Sequence, residues 1–316
     1  MPVEQGQGWA TRLLLKAGQS PYDWTTGTIE RHDHLAFDVY KHGRHLYYDV
    51  MSGTRQQIAE RTRIGTSPCY GWFGEACSPL ILDYILPRVL GGTKTGNTIA
   101  FAEAIPYFGM LEDTEVTAFE HRDFMVDKFV LRGGAYKQGD ESEPEKLEML
   151  IHAIGRDIVK DVTFPASPPA LAVTGNSTPY SFTDMCDQEG GTFLILGDDR
   201  KIYDFDLMIV NAVNATYHQC VTATSLRPTD FIVKLDFTTD WNDANEDLYD
   251  MPLPGEAATI KFVNGPYSIQ FDIGAFQSPI RGPSIRGRQR IILEKTGFGR
   301  RLGTTPSIGA VNDSSV

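Results

Sequence analysis

The sequence predicts a mainly β protein built as two tandem antiparallel sandwich or barrel domains with one short flanking helix. Three observations predict it. Apolar and polar residues alternate through most of the second half, the 30 glycines and 18 prolines supply turns, and the two halves repeat one pattern of apolar positions. At 316 residues the chain exceeds ordinary single-domain size, so two cores are expected. The expected division is a first β domain over 1–162, a proline-rich connector over 163–180, a second β domain over 181–302 and a flexible C-terminal arm over 303–316.

In chain order, the first alternating segments are Leu35–Tyr40 and Leu46–Met51, which flank Lys41-His42-Gly43-Arg44 and read as a β-hairpin. The helix is expected near 78–90. Ser78 is placed to cap it, Pro79 suits its first turn, Leu80, Ile81, Tyr84 and Ile85 share a face, and Gly91-Gly92 closes it. Pro87 is expected to kink it or end it early. Glu145–Ile158 carries conflicting signals. Leu147, Leu150, Ile151, Ile154 and Ile158 share a helical face behind a Ser142 cap, yet the match to the second half favours a strand.

Pro165, Pro168, Pro169 and Pro179 prevent a regular element from running through 163–180. Beyond it, Phe193–Leu196, Tyr203–Val210, Phe231–Phe237, Thr259–Val263 and Ser268–Ile273 all read as strands. Helices able to cover a parallel sheet are missing, so antiparallel closure follows. The stretch after Gly303 is small and polar, in keeping with an arm that orders on a neighbour.

The repeat is the most informative internal feature. Pro144 is followed at three, five, seven and nine residues by Leu147, Met149, Ile151 and Ala153; Pro228 is followed at the same offsets by Phe231, Val233, Leu235 and Phe237. Upstream of each lies an apolar alternating strand, Val126–Leu131 or Phe205–Val210. Each of these is preceded by a strand that ends in an acidic turn, Glu112-Asp113 or Asp198-Asp199.

The formal charge of −12, from 41 acidic and 29 basic side chains, lacks the footprint of a nucleic-acid binder. Arg281, Arg286, Arg288, Arg290, Lys295, Arg300 and Arg301 crowd one late segment, whereas Asp240, Asp243, Glu246, Asp247 and Asp250 crowd another. Solvated faces are the plain explanation; head-to-tail association of opposite patches is the functional one. The opening Met-Pro-Val-Glu-Gln-Gly has no secretory pattern, and no run of eighteen apolar residues occurs, so neither secretion by that route nor a membrane span is expected. Cys69, Cys77, Cys186 and Cys220 are dispersed and expected to be reduced thiols.

A search for chemistry yields no anchor for catalysis. G-x-S-x-G, the G-x-x-x-x-G-K-[ST] phosphate loop and G-x-G-x-x-G before a helix are all missing, and the seven histidines show no spacing that selects a base. His32-x-His34 and His42-x-x-His45 can supply metal nitrogens, but no cysteine or carboxylate completes a tetrahedral site. Asp236–Asp250 lacks the pattern of a calcium loop. Trp9, Trp24, Trp72 and Trp241 raise the alternative of a carbohydrate-binding or carbohydrate-active sandwich, although large aromatics more often pack in cores and interfaces. No enzyme activity, cofactor or metal is expected.

Arg63-Ile-Gly65, then Gly71, then Leu80-Ile-Leu-Asp-Tyr-Ile-Leu-Pro-Arg-Val-Leu-Gly-Gly, and later Ser278-Pro-Ile-Arg-Gly-Pro before a final strand, resemble the two-domain tail tube proteins of long-tailed bacteriophages. The resemblance runs from about Gly53 to Leu293. It implies rings of three duplicated chains with pseudo-six-fold symmetry, stacked into the tube through which DNA is ejected, in a virion assembled in the host cytoplasm. It also implies other tail proteins as partners: tape measure, baseplate and terminator. An acidic lumen would keep DNA from sticking in transit. On that reading Glu112, Asp113, Asp198 and Asp199 belong to equivalent hairpins on the lumen or ring-stacking surface. Asp240, Asp243, Glu246, Asp247 and Asp250 would dock on Arg286, Arg288 and Arg290 of a neighbour. Another β-rich virion ring protein, such as a terminator, baseplate or capsid component, is the nearest alternative.

Overall fold

A computed structural model describes residues 12–32, 34–43, 45–47, 62–134, 147–169, 175–186, 190–285 and 291–314. In the first half, β1 (Arg12–Ala17), β2 (Ile29–His32), β3 (His34–Lys41), β4 (His45–Tyr47), β5 (Thr62–Ile64) and β6 (Cys69–Ala76) precede a helix, α1 (Pro79–Leu90). After it come β7 (Gly91–Thr95), β8 (Thr98–Phe101), β9 (Phe108–Asp113), β10 (Ala118–Gly134), β11 (Glu148–Gly155) and β12 (Asp157–Lys160). The second half begins with β13 (Thr192–Ile195), β14 (Asp198–Asp199), β15 (Ile202–Val210), β16 (Val213–Thr216), β17 (Ser225–Pro228) and β18 (Ile232–Asp240). It ends with β19 (Glu256–Asn264), β20 (Tyr267–Gln277), β21 (Ser284–Ile285), β22 (Ile291–Arg300) and β23 (Ile308–Asp313). The protein is mainly β and its ladders are antiparallel.

One sheet runs β3–β6–β11–β10–β15–β18–β22, so the β10–β15 ladder joins strands of the two halves directly. A second runs β13–β19–β20–β23–β8–β7 and meets the first where Ala275–Gln277 of β20 pairs with β22. The inner faces of the two sheets pack through aromatic rings: Phe193 lies 5.1 Å from Phe237 and Phe205 lies 5.8 Å from Phe262, centroid to centroid. Burying each such ring stabilises the fold by about 1.5–3 kcal/mol. The apolar core is continuous across both halves, from Leu13 to Ala310.

Helix α1 forms as its residues dictate. Ser78 is extended and its side chain accepts from Ile81 N–H at 3.4 Å, and Pro79 occupies the first turn. Gly91 ends the helix at φ 82, with its N–H on the Pro87 carbonyl, and a Cβ there would meet the Ala102 carbonyl oxygen at 2.4 Å. Pro87 does not end the helix early, because the turn after it is held by that cap and by the burial of Leu86, Val89 and Leu90.

Three further expectations change. Among the described residues Leu35–Tyr40 does not pair with 45–47: β3 pairs β6, and β4 pairs β5, while 48–51 of the expected hairpin lie outside the described residues. The nonlocal pairing depends on Gly71, where a Cβ would collide with the Asp38 carbonyl oxygen at 2.1 Å. The residues expected to form a free C-terminal arm include β23, inserted between β20 and β8. Its inward positions, Ile308, Ala310 and Asn312, alternate, but two are small or polar, which hides the strand in the sequence. The connector also packs back, since buried Tyr180 donates its N–H to the Cys77 carbonyl at 2.8 Å. Glu148–Gly155 is a strand, the outcome that the repeat favoured over the helical pattern.

Strand β10, 17 residues long, serves two sheets. Its first part pairs β9 and β12, beside β1 and β2, and its second part pairs β11 and β15. The change falls at register shifts around Asp123, whose φ is 53, the left-handed region that side chains other than glycine rarely adopt.

Candidate assembly surfaces

The outward face of the seven-stranded sheet follows from alternation. In β11, Met149, Ile151 and Ala153 are buried while Leu150, His152 and Ile154 point the other way; in β18, Val233, Leu235 and Phe237 are buried while Lys234, Asp236 and Thr238 do so. The registers of the halves correspond. A half-turn about the Val130–Met208 pair carries Phe129–Ile151 onto Leu207–Leu235, and Leu131–Met149 onto Ile209–Val233. The same operation carries the pair Lys128–His152 onto Asp206–Asp236. The register is kept but the chemistry reversed, with two nitrogen-bearing side chains in one half where the other has two carboxylates. β6 and β22 take matching places as well, although β6 precedes its neighbours in the chain and β22 follows them.

Asp206 and Asp236 each keep one buried oxygen that has no hydrogen-bond partner among the described residues, and Lys234 bonds to the other oxygen of Asp236. Burial, and then the charge of Asp236, push the Asp206 carboxyl above its ordinary range; Arg132, Lys234 and Lys128 pull the other way. On the opposite side of the half-turn, burial and Lys128 lower His152.

The four acidic turn residues occupy two different settings. Asp113 is buried at the end of β9 and accepts from Arg12 Nε at 3.0 Å and from Glu115 N–H, while Glu112 lies 3.3 Å from the buried His121 Nε2. Asp198 and Asp199 stand exposed after a two-residue turn in which Leu196 and Gly197 both have positive φ. The fold does not bring the two pairs together.

The acidic segment after β18 is ordered on its own chain. Asp243–Leu248 forms a 3-10 turn with Asn245 and Leu248 buried. Arg200, 4% exposed, draws the segment onto the β13–β14 turn: it donates to Asp247 at 2.6 Å, to Asp198 at 3.2 Å, and to the Ala244 and Ile195 carbonyls. Asp240 accepts from the Tyr203 hydroxyl at 2.9 Å, whereas Asp243, Glu246 and Asp250 are exposed. Arg286, Arg288 and Arg290 lie outside the described residues, so their proposed docking partners stand without them.

Other candidates from the sequence are scattered. Trp24 is buried and donates to Glu120 at 2.7 Å, Trp72 is on the outward sheet face, Trp241 packs against Tyr249, and Trp9 is outside the described residues. Cys69 and Cys77 are buried, with their thiols pushed up to about 12 by desolvation; Cys186 and Cys220 are exposed. Among the described residues no group of three histidine, cysteine, aspartate or glutamate side chains could hold a metal ion.

Sequence reading missed Arg200, Lys295 and Asp123 as organising residues. Nothing in one-dimensional spacing marks a lone arginine as buried, but Asp206 and Asp236 were visible as polar positions within alternating strands. No family model and no curated protein matches the chain.

Proposed function

We propose that this chain is a structural virion subunit that assembles with its own copies into stacked rings, as the tail tube proteins of long-tailed bacteriophages do. Three chains would complete a ring of pseudo-six-fold symmetry, its two tandem β domains derived from one duplicated unit. The observation that carries the reading is the half-turn about Val130–Met208, which superposes the β10–β11 and β15–β18 registers and supports a duplication. The outward face sets Asp38, Asp204, Asp206, Asp236 and Glu294 against Lys128, Arg132 and Lys234, an acidic excess that would repel passing DNA. Tape measure, baseplate and terminator proteins would be its partners in the tail, and the sheet would act by shape and charge without catalysis or cofactor.

Negative-stain microscopy of the purified protein, joined with native mass spectrometry, tests this. Open-ended tubes of uniform width whose smallest ring contains three chains are expected. A protein that stays monomeric at all concentrations, or closes into shells, overturns it.

A further inference from the structure

The loops that follow β18 and β20 carry the two most exposed large apolar side chains among the described residues, Leu253 and Ile280, together with Tyr249. Leu253 is 78% exposed, Ile280 64% and Tyr249 42%. Backbone contacts hold them together. Gly255, at φ 113, lies against Phe276 and Gln277 and so places Leu253 beside the chain leaving β20, while the Tyr249 ring comes 3.9 Å from the Cβ position of Gly282. Trp241 meets Tyr249 edge-on at 6.3 Å and donates its N–H to the Ile291 carbonyl at 2.9 Å.

Beneath these loops sits a buried cation. Lys295 is 1% exposed, and its Nζ reaches the Tyr249 and Pro279 carbonyls, one in each loop, at 3.5 Å. Burial lowers its pKa and the charge of Asp250 opposes that shift. Burying an ammonium is costly, and the two carbonyls and the Asp250 charge offset part of that cost while tying together the two loops that display Tyr249 and Ile280. The Tyr249 loop also carries Asp243, Glu246 and Asp250, all exposed; Asp250 acts on the Lys295 ammonium below, and among the described residues no salt bridge reaches Asp243 or Glu246.

We propose that the Tyr249–Leu253–Ile280 surface docks a basic segment of a partner protein that carries apolar side chains. The carboxylate rim selects lysine and arginine, and the apolar centre provides the area that water leaves. The carboxylate rim disfavours an acidic occupant. This goes beyond ring assembly, which needs no such partner.

A short amphipathic lysine–leucine peptide, titrated by fluorescence anisotropy against the full chain, tests the proposal beside the same peptide with glutamate for lysine. The lysine peptide should bind, lose affinity as salt rises, and weaken about tenfold or more with the Leu253→Asp/Ile280→Asp protein while its thermal midpoint stays unchanged. Lys295→Met should weaken binding too; should that variant fail to fold, the exposed double substitution still decides. Equal binding by the double variant, or equal binding of the glutamate peptide, overturns the proposal. A concentration-dependent dimer of the protein alone, abolished by the same double substitution in sedimentation, assigns the surface to a second copy and also overturns it. Tubes that form normally from the double variant leave the ring reading standing while the peptide result stands or falls separately.

Discussion

Asp206 and Asp236 face one another across the β15–β18 ladder, and the only cation bonded to either among the described residues is Lys234, on Asp236. Like charges directly opposite on neighbouring strands are destabilising, by roughly 0.2–1 kcal/mol. The Asp206 carboxyl is raised in the folded state, so its favourable contribution is present below the ordinary aspartate range and lost as pH rises through the folded value. Asp206→Asn should therefore raise the thermal midpoint at neutral pH by about 1–2 °C. The gain should shrink as pH falls through the raised value toward the ordinary aspartate range. Thermal melts of both proteins from acid to neutral pH check this; a gain that is constant with pH contradicts it.

Arg200 joins two surfaces that the sequence separates by about half a hundred residues. Its removal leaves the Ile195 and Ala244 carbonyls and two partly exposed carboxylates without their donor. Arg200→Ala should cost about 2–3 kcal/mol, below the figure for a fully buried ion pair because Asp198 and Asp247 retain water. Arg200→Lys should recover only part, since one ammonium cannot span the same fork of acceptors. Urea unfolding reads the loss as a lower midpoint at unchanged slope. Limited proteolysis within 240–250 should accelerate in step.

How much was legible follows from where each signal resides. Residues 205–210 and 232–237 announce their strands because one face is buried and large, and the period of two is unbroken within each. The Pro144 and Pro228 offsets chose strand over helix for Glu148–Gly155, since a repeat adds long-range information to a local pattern that fits both periods. The partner of β3 was not legible, because Gly71 reads as a turn residue until another backbone lies against it. Nor was β23, whose inward Asn312 donates its amide to the Pro79 carbonyl at 2.8 Å and to Asp83, partners more than two hundred residues away. The acidic segment was legible as charge, but its attachment to Arg200 was not.

Asp123 combines a left-handed backbone with a carboxylate that accepts from Ser20 Oγ at 2.8 Å, Tyr22 Oη at 3.2 Å and Arg156 Nη1 at 3.1 Å. These bonds offset the local strain where β10 passes between sheets. Asp123→Ala should lose about 3 kcal/mol, whereas Asp123→Asn, which tolerates the same φ and keeps an acceptor, should lose less. Chemical denaturation of both variants measures the order. An alanine variant as stable as the asparagine one would show that the bonds contribute little.

The last strand makes the strongest demand on the fold. β23 covers the open side of both β20, from the second half, and β8, from the first, and its Asn312 and the following Ser314 bond to Asp83 of α1. Lys94 reaches the same carboxylate at 2.6 Å, so helix, first-half hairpin and C-terminus meet on one side chain. Ending the chain after Pro306 would expose two strand edges and the inner positions of Ile308 and Ala310, a template for intermolecular pairing. The truncated protein should melt lower and elute as aggregate on size exclusion. Asp83→Asn, which keeps β23 but weakens its charged anchor, should remain soluble and lose about 1–2 kcal/mol. If these residues were the free arm that their composition suggests, the truncation would change neither measurement.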